Sequence, residues 1–175
     1  MPVSERPERM TLTDLQSNET VEAMFNPSDL SRRIAVNYAK KTVLGSSHLP
    51  HEYLQTDNQQ LRFALFYNAE TPEELEKAED SARFLESLCY APDDPESIAG
   101  AAPPRVLLVW PRTLSIIARL TTIEFLHQRW NRFGNTTQYT AECTFEESRI
   151  RRLSKQDVRL LGALRTPQSQ GKVIE

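Results

Sequence analysis

Pro103-Pro104-Arg105-Val106-Leu107-Leu108-Val109-Trp110-Pro111-Arg112 is a short run rich in valine and leucine, set between prolines. A strand buried on both faces reads this way. Past the break at Pro111-Arg112-Thr113 a longer apolar run extends from Leu114 to Leu126. Read as a strand, it places Leu114, Ile116, Ala118, Leu120 and Thr122 on one face. Ile117, Arg119, Thr121, Ile123 and Phe125 fall on the other. Neither face is cleanly polar. That pattern predicts a core on one side and a second packing partner, such as another subunit, on the other.

Downstream, His127 to Asn135 reads as a turn region in which Gly134-Asn135 supports a reversal. Thr136 to Phe145 then alternates, Tyr139, Ala141, Cys143 and Phe145 against Thr140, Glu142 and Thr144. A long hairpin from Leu114 to Phe145 follows. Upstream, Leu61, Phe63, Leu65 and Tyr67 mark one face of a strand. Thr20 to Phe25 alternates and stops at the turn Asn26-Pro27-Ser28-Asp29. Arg32 to Tyr38 alternates again, with Ile34, Val36 and Tyr38 expected inward. Lys40 to Gln60 reads as a long excursion with partial strand character.

Between these strands the period changes. Thr71-Pro72-Glu73-Glu74 has the pattern of a capping box with proline at the first helical position. Leu75, Ala78, Ala82, Leu85 and Cys89 recur at helical spacing, and Phe84 and Leu88 widen the stripe. The helix is expected to end near Tyr90-Ala91, before Pro92. Its outer face carries Glu73, Glu76, Glu79, Asp80 and Glu86. Catalytic carboxylates converge in a pocket; these line a solvated helix surface, with Lys77 and Arg83 as ion-pair partners. From Ser148 to Arg165 basic residues are interleaved with Ile150, Leu153, Val158, Leu161 and Leu164, and a short amphipathic helix is expected from about Ser154 to Leu164. The segment holds no aromatic residue, which argues against single-stranded nucleic acid.

The 175 residues suit one domain with an appendage, 39% hydrophobic and 26% charged. A net charge of -3 gives no bulk attraction to nucleic acid. Cys89 and Cys143 lack metal-ligand spacing and are expected to be buried free thiols. His48 and His51 have no third ligand placed by sequence, and Pro50 opposes a helix that would align them. The N-terminus has no apolar core of a signal peptide, and no run is long enough to span a membrane. No nucleophile elbow, phosphate loop, zinc spacing or dinucleotide fingerprint is present. No catalytic, metal or cofactor residues are therefore assigned. The fold class expected is α+β: an antiparallel β-barrel or sandwich with one amphipathic helix packed on it. Residues 1–19 are expected to be a flexible segment, 20–147 the β domain with its helix at 71–90, and 148–175 a basic arm.

Several pieces, in order, resemble a known family. They are Val21 to Arg32, which includes Phe25-Asn26-Pro27 and Leu30-Ser31-Arg32, then Val36-Asn37-Tyr38 and Leu61 to Phe66. Pro103 to Trp110 and the hairpin through Phe133 to Phe145 complete the set. Together the chain looks like the tube-type proteins of contractile injection systems and contractile-tailed phages. Pro111 stands where a glycine is common, Gly134-Asn135 replaces aspartate-glycine, and no C-terminal LysM module is evident; the basic segment takes its place. The resemblance implies a baseplate protein, made in the cytoplasm and built into a virion tail or injection particle. It would form a hexameric ring with itself, join the spike hub protein to the inner tube protein or a second adaptor ring, and initiate the tube. It implies no cofactor, no catalysis, no membrane and no sequence-specific nucleic acid. Candidate contacts are Ile117, Ile123, Trp130 and Phe133 of the hairpin, and Arg149, Arg151, Arg152, Leu153, Val158 and Leu161 of the arm. The alternative is a monomeric ligand-binding barrel, or an enzyme with an unrecognised site.

Overall fold

The computed structural model describes residues 8–40, 44–45, 51–92 and 102–149. In chain order these form β1 (Thr11–Asp14), β2 (Thr20–Glu22), β3 (Ser31–Arg33), β4 (Val36–Lys40), β5 (His51–Thr56) and β6 (Gln60–Asn68). Helix α1 (Pro72–Ser87) follows, then β7 (Val106–Trp110), β8 (Leu114–Trp130) and β9 (Thr136–Glu147). The architecture is α+β, an antiparallel sheet with one helix. Seven strands hydrogen-bond in the order β2-β1-β7-β8-β9-β6-β3, and β4 and β5 make a separate pair. The order is open, with β2 and β3 as edges, so the sheet does not close into a barrel among the described residues.

The run Val106 to Trp110 is the inner strand that its composition predicts, flanked by β1 and β8. Val106 and Leu108 are fully buried, while Leu107 and Val109 are half-buried on the opposite face. The turn to β8 is tight. The Thr113 amide donates to the Trp110 carbonyl, and Arg112 takes a left-handed φ of 62°.

Strand β8 joins two partly separate ladders. Leu114 to Ala118 pairs with β7, whereas Ala118 to Trp130 pairs with β9, so the two partners overlap only at Ala118. Just beyond, Thr121 is an extra residue: Leu120 pairs with Phe145 and Thr122 with Thr144. An extra residue reverses which side chains face the core. Leu114, Ile116, Ala118 and Leu120 are buried before the bulge, and Ile123 and Phe125 pack on the same core after it. The unbroken alternation expected for this run is therefore corrected. Ile117 and Ile123 do not share a face: Ile117 is exposed beside Leu107, and Ile123 joins the core.

The core is one cluster. Leu61, Phe63, Leu65 and Tyr67 of β6 meet Tyr139, Ala141, Cys143 and Phe145 of β9, as the alternation of both strands predicts. Phe63 and Phe145 stack at 5.5 Å, and Tyr67 stacks on its cross-strand partner Tyr139 at 4.6 Å. Helix α1 closes the cluster with Ala78, Phe84, Leu85 and then Leu88. The capping box forms as expected: Glu74 N–H donates to Thr71 Oγ1, and Thr71 N–H to Glu74 Oε2. The Tyr139 hydroxyl ties helix to sheet by donating to the Ala78 carbonyl at 2.7 Å.

Three further expectations differ from the structure. Strand β1 lies inside the segment read as flexible, with Met10 and Leu12 fully buried. One apolar residue in Thr11–Asp14 is too little pattern to announce a strand. What holds this segment includes Asn26, which accepts from Met10 N–H and donates to the Glu8 carbonyl. Second, Ile34, Val36 and Tyr38 do not point inward but are exposed. After β3 the chain leaves the main sheet, so their alternation has no core beneath it. Third, Cys143 is buried but Cys89 is exposed, because α1 ends at Ser87 and Cys89 lies past its C-cap.

Candidate subunit interface

The ladder leaves a backbone need. From Thr122 to Trp130, β8 pairs with β9 on one side and, among the described residues, with nothing on the other. Pro103 and Pro104 help explain why. Proline cannot donate to a ladder, and these two stand just before β7 begins at Val106. The open stretch is nine residues, roughly 30 Å of strand. An open edge of this length is a template for another strand.

The tip beyond it is tightly held. Asn131 Oδ1 accepts from the Phe133 and Asn135 amides, and Asn131 N–H donates to the Asn135 carbonyl. Gly134 supplies the φ of 86° that closes the reversal. This turn presents Phe133, 74% exposed, with the Arg132 guanidinium 4.6 Å above its ring. Trp130 stands exposed at the end of β8. Exposed tryptophan, arginine and phenylalanine on a preorganised turn have the composition of interface anchors.

The face of the sheet away from α1 is mixed. Across β6, β9 and β8 one row reads Phe66, Thr140, Leu126, and Phe25 lies against Phe66 at 5.7 Å. Next to it Arg62 donates to Glu142 at 2.8 Å, and that pair holds the guanidinium in its charged form. At the other end Leu107 and Ile117 are neighbours.

At the exit from β9, Glu147 is buried and ion-paired with Arg149. Its amide donates to the Gln59 carbonyl, and the Ser148 amide to the Ile117 carbonyl. The chain thus leaves the sheet at a fixed point. Arg149 is the arm's one candidate within the described residues; Arg151, Arg152, Leu153, Val158 and Leu161 lie outside them. Of the hairpin candidates, Trp130 and Phe133 come together near the tip, Ile117 lies at the opposite end of β8, and Ile123 faces the core.

Sequence reasoning missed the β4–β5 ribbon as a surface. All of β5 is exposed, and Val36, Tyr38, Tyr53 and Leu54 are held by no core. Tyr38 meets Tyr53 edge-on at 6.1 Å across the pair. The signal was present in the alternation of Val36, Tyr38 and their neighbours, but alternation does not say whose core it serves. His51 is exposed on β5, and His48 lies outside the described residues. Among the described residues no group of three histidine, cysteine or acidic side chains is placed to hold a metal. No described helix is long and apolar enough to cross a membrane.

A family model described as contractile injection system tube protein matches residues 7–156. Among solved structures, the chain resembles one in the cryo-EM structure of the anti-feeding prophage baseplate, 6-fold symmetrised. That match has a TM-score of 0.34 and 15% identity, covering 88% of this chain and 98% of the other. The search of curated proteins found no match.

Proposed function

The chain belongs to the contractile injection system tube protein family, and we propose that it builds a hexameric ring at the baseplate end of a contractile tail. The ring joins the central spike hub to the inner tube, or to a second adaptor ring, and starts tube assembly. The role is structural, without catalysis or cofactor. The observation that carries this reading is the edge of β8 from Thr122 to Trp130, which no strand among the described residues covers. A monomer with this edge uncovered risks indiscriminate pairing. A ring covers the same edge on every subunit at once, because a head-to-tail contact repeats until it closes. The β8–β9 hairpin then forms part of the channel wall, and Trp130 and Phe133 stand at its rim for the adjoining ring. Residues 148–175 act as a docking arm.

The particle mass in solution tests the ring. Six copies of a 20.1 kDa chain give a species of about 120 kDa with a central hole in negative-stain images. A single 20 kDa species at every concentration, with or without tail partners, would contradict it.

A further inference from the structure

Strand order puts β2 and β3 at opposite ends of the main sheet, yet the chain passes from one to the other through Ala23 to Leu30 alone. Two contacts show how. The Asn68 amide at the end of β6 donates to Met24 Sδ at 3.3 Å, and the Phe25 ring lies 5.7 Å from Phe66 of β6. Strand β3 covers the same edge of β6 only from Gln60 to Arg62. The sheet therefore curls until the continuation of β2 lies beside β6. We propose that Met24 and Phe25 are a strap that closes this seam by side chains instead of a ladder, and that the seam opens while the rest of the molecule stays folded. Opening bares the edge of β6 from Phe63 to Asn68. The inference goes beyond the ring reading and does not depend on it.

The two sides of the strap are fastened unequally. Toward β1, Ala23 N–H donates to the Met10 carbonyl at 2.8 Å. Pro27, which is buried, has no amide to carry the pairing further. The side-chain amide of Asn26 carries it instead. It accepts from Met10 N–H at 2.8 Å and donates to the Glu8 carbonyl at 3.0 Å. All three are full N–H···O bonds. Toward β6 the acceptor is a thioether sulfur, which is weak. The ring contact there is tilted, with Phe25 48% and Phe66 36% exposed. Met24 packs on the core, so the closed seam is the resting state. Segments held by few buried contacts and exposed bonds open ahead of global unfolding. The weak side is the one toward β6, so β1, β2 and the strap part from β6 together, with the Asn26 clamp intact.

Native-state hydrogen exchange of the full chain in low denaturant tests this on the subunit itself. The Asn68 amide should exchange at denaturant concentrations where the β6–β9 amides are still protected. The Met10 amide, held by Asn26, should stay protected with them. A disulfide across the seam, Phe25→Cys with Phe66→Cys in a Cys89→Ser background, should slow the Asn68 amide about tenfold or more on oxidation, and reduction should restore its rate. If that variant does not fold or link, the wild-type amides decide. Exchange of Asn68 only together with the β6–β9 ladder would overturn the inference. Loss of Met10 and Asn68 protection together, ahead of the ladder, would overturn it too, because the clamp would then open with the seam. A formed disulfide that leaves the Asn68 rate unchanged would show that exchange does not pass through the seam, with the same consequence.

Discussion

At the scale of single residues, two stacked tyrosines make opposite predictions. Tyr139 donates to the Ala78 carbonyl, so Tyr139→Phe should cost about 0.5–1.5 kcal/mol in denaturant unfolding. The Tyr67 hydroxyl is buried beside Ser81 without a hydrogen bond, and burial pushes its pKa up to about 12. Tyr67→Phe removes an uncompensated polar group and should be neutral or stabilising by up to about 1 kcal/mol in the same assay. At the helix start, Thr71→Ala should destabilise by about 1 kcal/mol. Glu74 accepts from the Glu70 and Thr71 amides, which hold its carboxyl below its ordinary 4.5. A lowered folded-state pKa means that its contribution is present above pH 4.5 and lost as pH falls through the folded value. The stability gap between wild type and Glu74→Gln should therefore close in acid. This helix was legible because its signals are local: the cap, the proline and the stripe all lie within twenty residues. Asn26 was legible as a turn residue, but its bonds to residues 8 and 10 depend on a fold that brings them together.

At the scale of elements, the bulge at Thr121 keeps one face of β8 on the core along two ladders. Deleting Thr121 should leave a regular ladder with the same β9 partners, whereas inserting one alanine between Thr122 and Ile123 should turn Ile123 and Phe125 outward or shift the β8–β9 register. A cost of about 1.5–3 kcal/mol for each fully lost side chain is the upper bound. An insertion with an unchanged melt would show that Ile123 and Phe125 do not pin the register. Strand existence and the faces of β6 and β9 could be read from period-two alternation, because β6 is unbroken and β9 is unbroken from Gln138 onward. The faces of β8 past Leu120 could not, since one extra residue changes parity without changing composition. The exposed ribbon was misread for a related reason: alternation records an apolar face, not the chain that covers it. The exit of β9 sharpens the prediction for the arm. A chain ending at Glu147 would leave a buried carboxylate without Arg149. Ending after Arg149 keeps that pair, so this chain should melt cooperatively yet fail to join partners. Normal assembly would free the arm of any docking task.

At the scale of the whole molecule, membership of the tube family and an unclosed sheet point in the same direction. The chain has one buried core, yet among the described residues its longest strand lacks a second partner along about half its length, and its two-stranded ribbon lies outside that core. The sequence carried the family through ordered motifs and the mixed faces of one strand. It carried no information on the open edge, which depends on where β7 begins relative to β8. Hydrogen exchange at the amides of Thr122 to Trp130 that point away from β9 tests the account most directly. They should exchange fast in the dilute monomer and slowly in the assembled particle. Fast exchange in both states, or full protection already in the monomer, would contradict the claim that this edge is completed by another subunit.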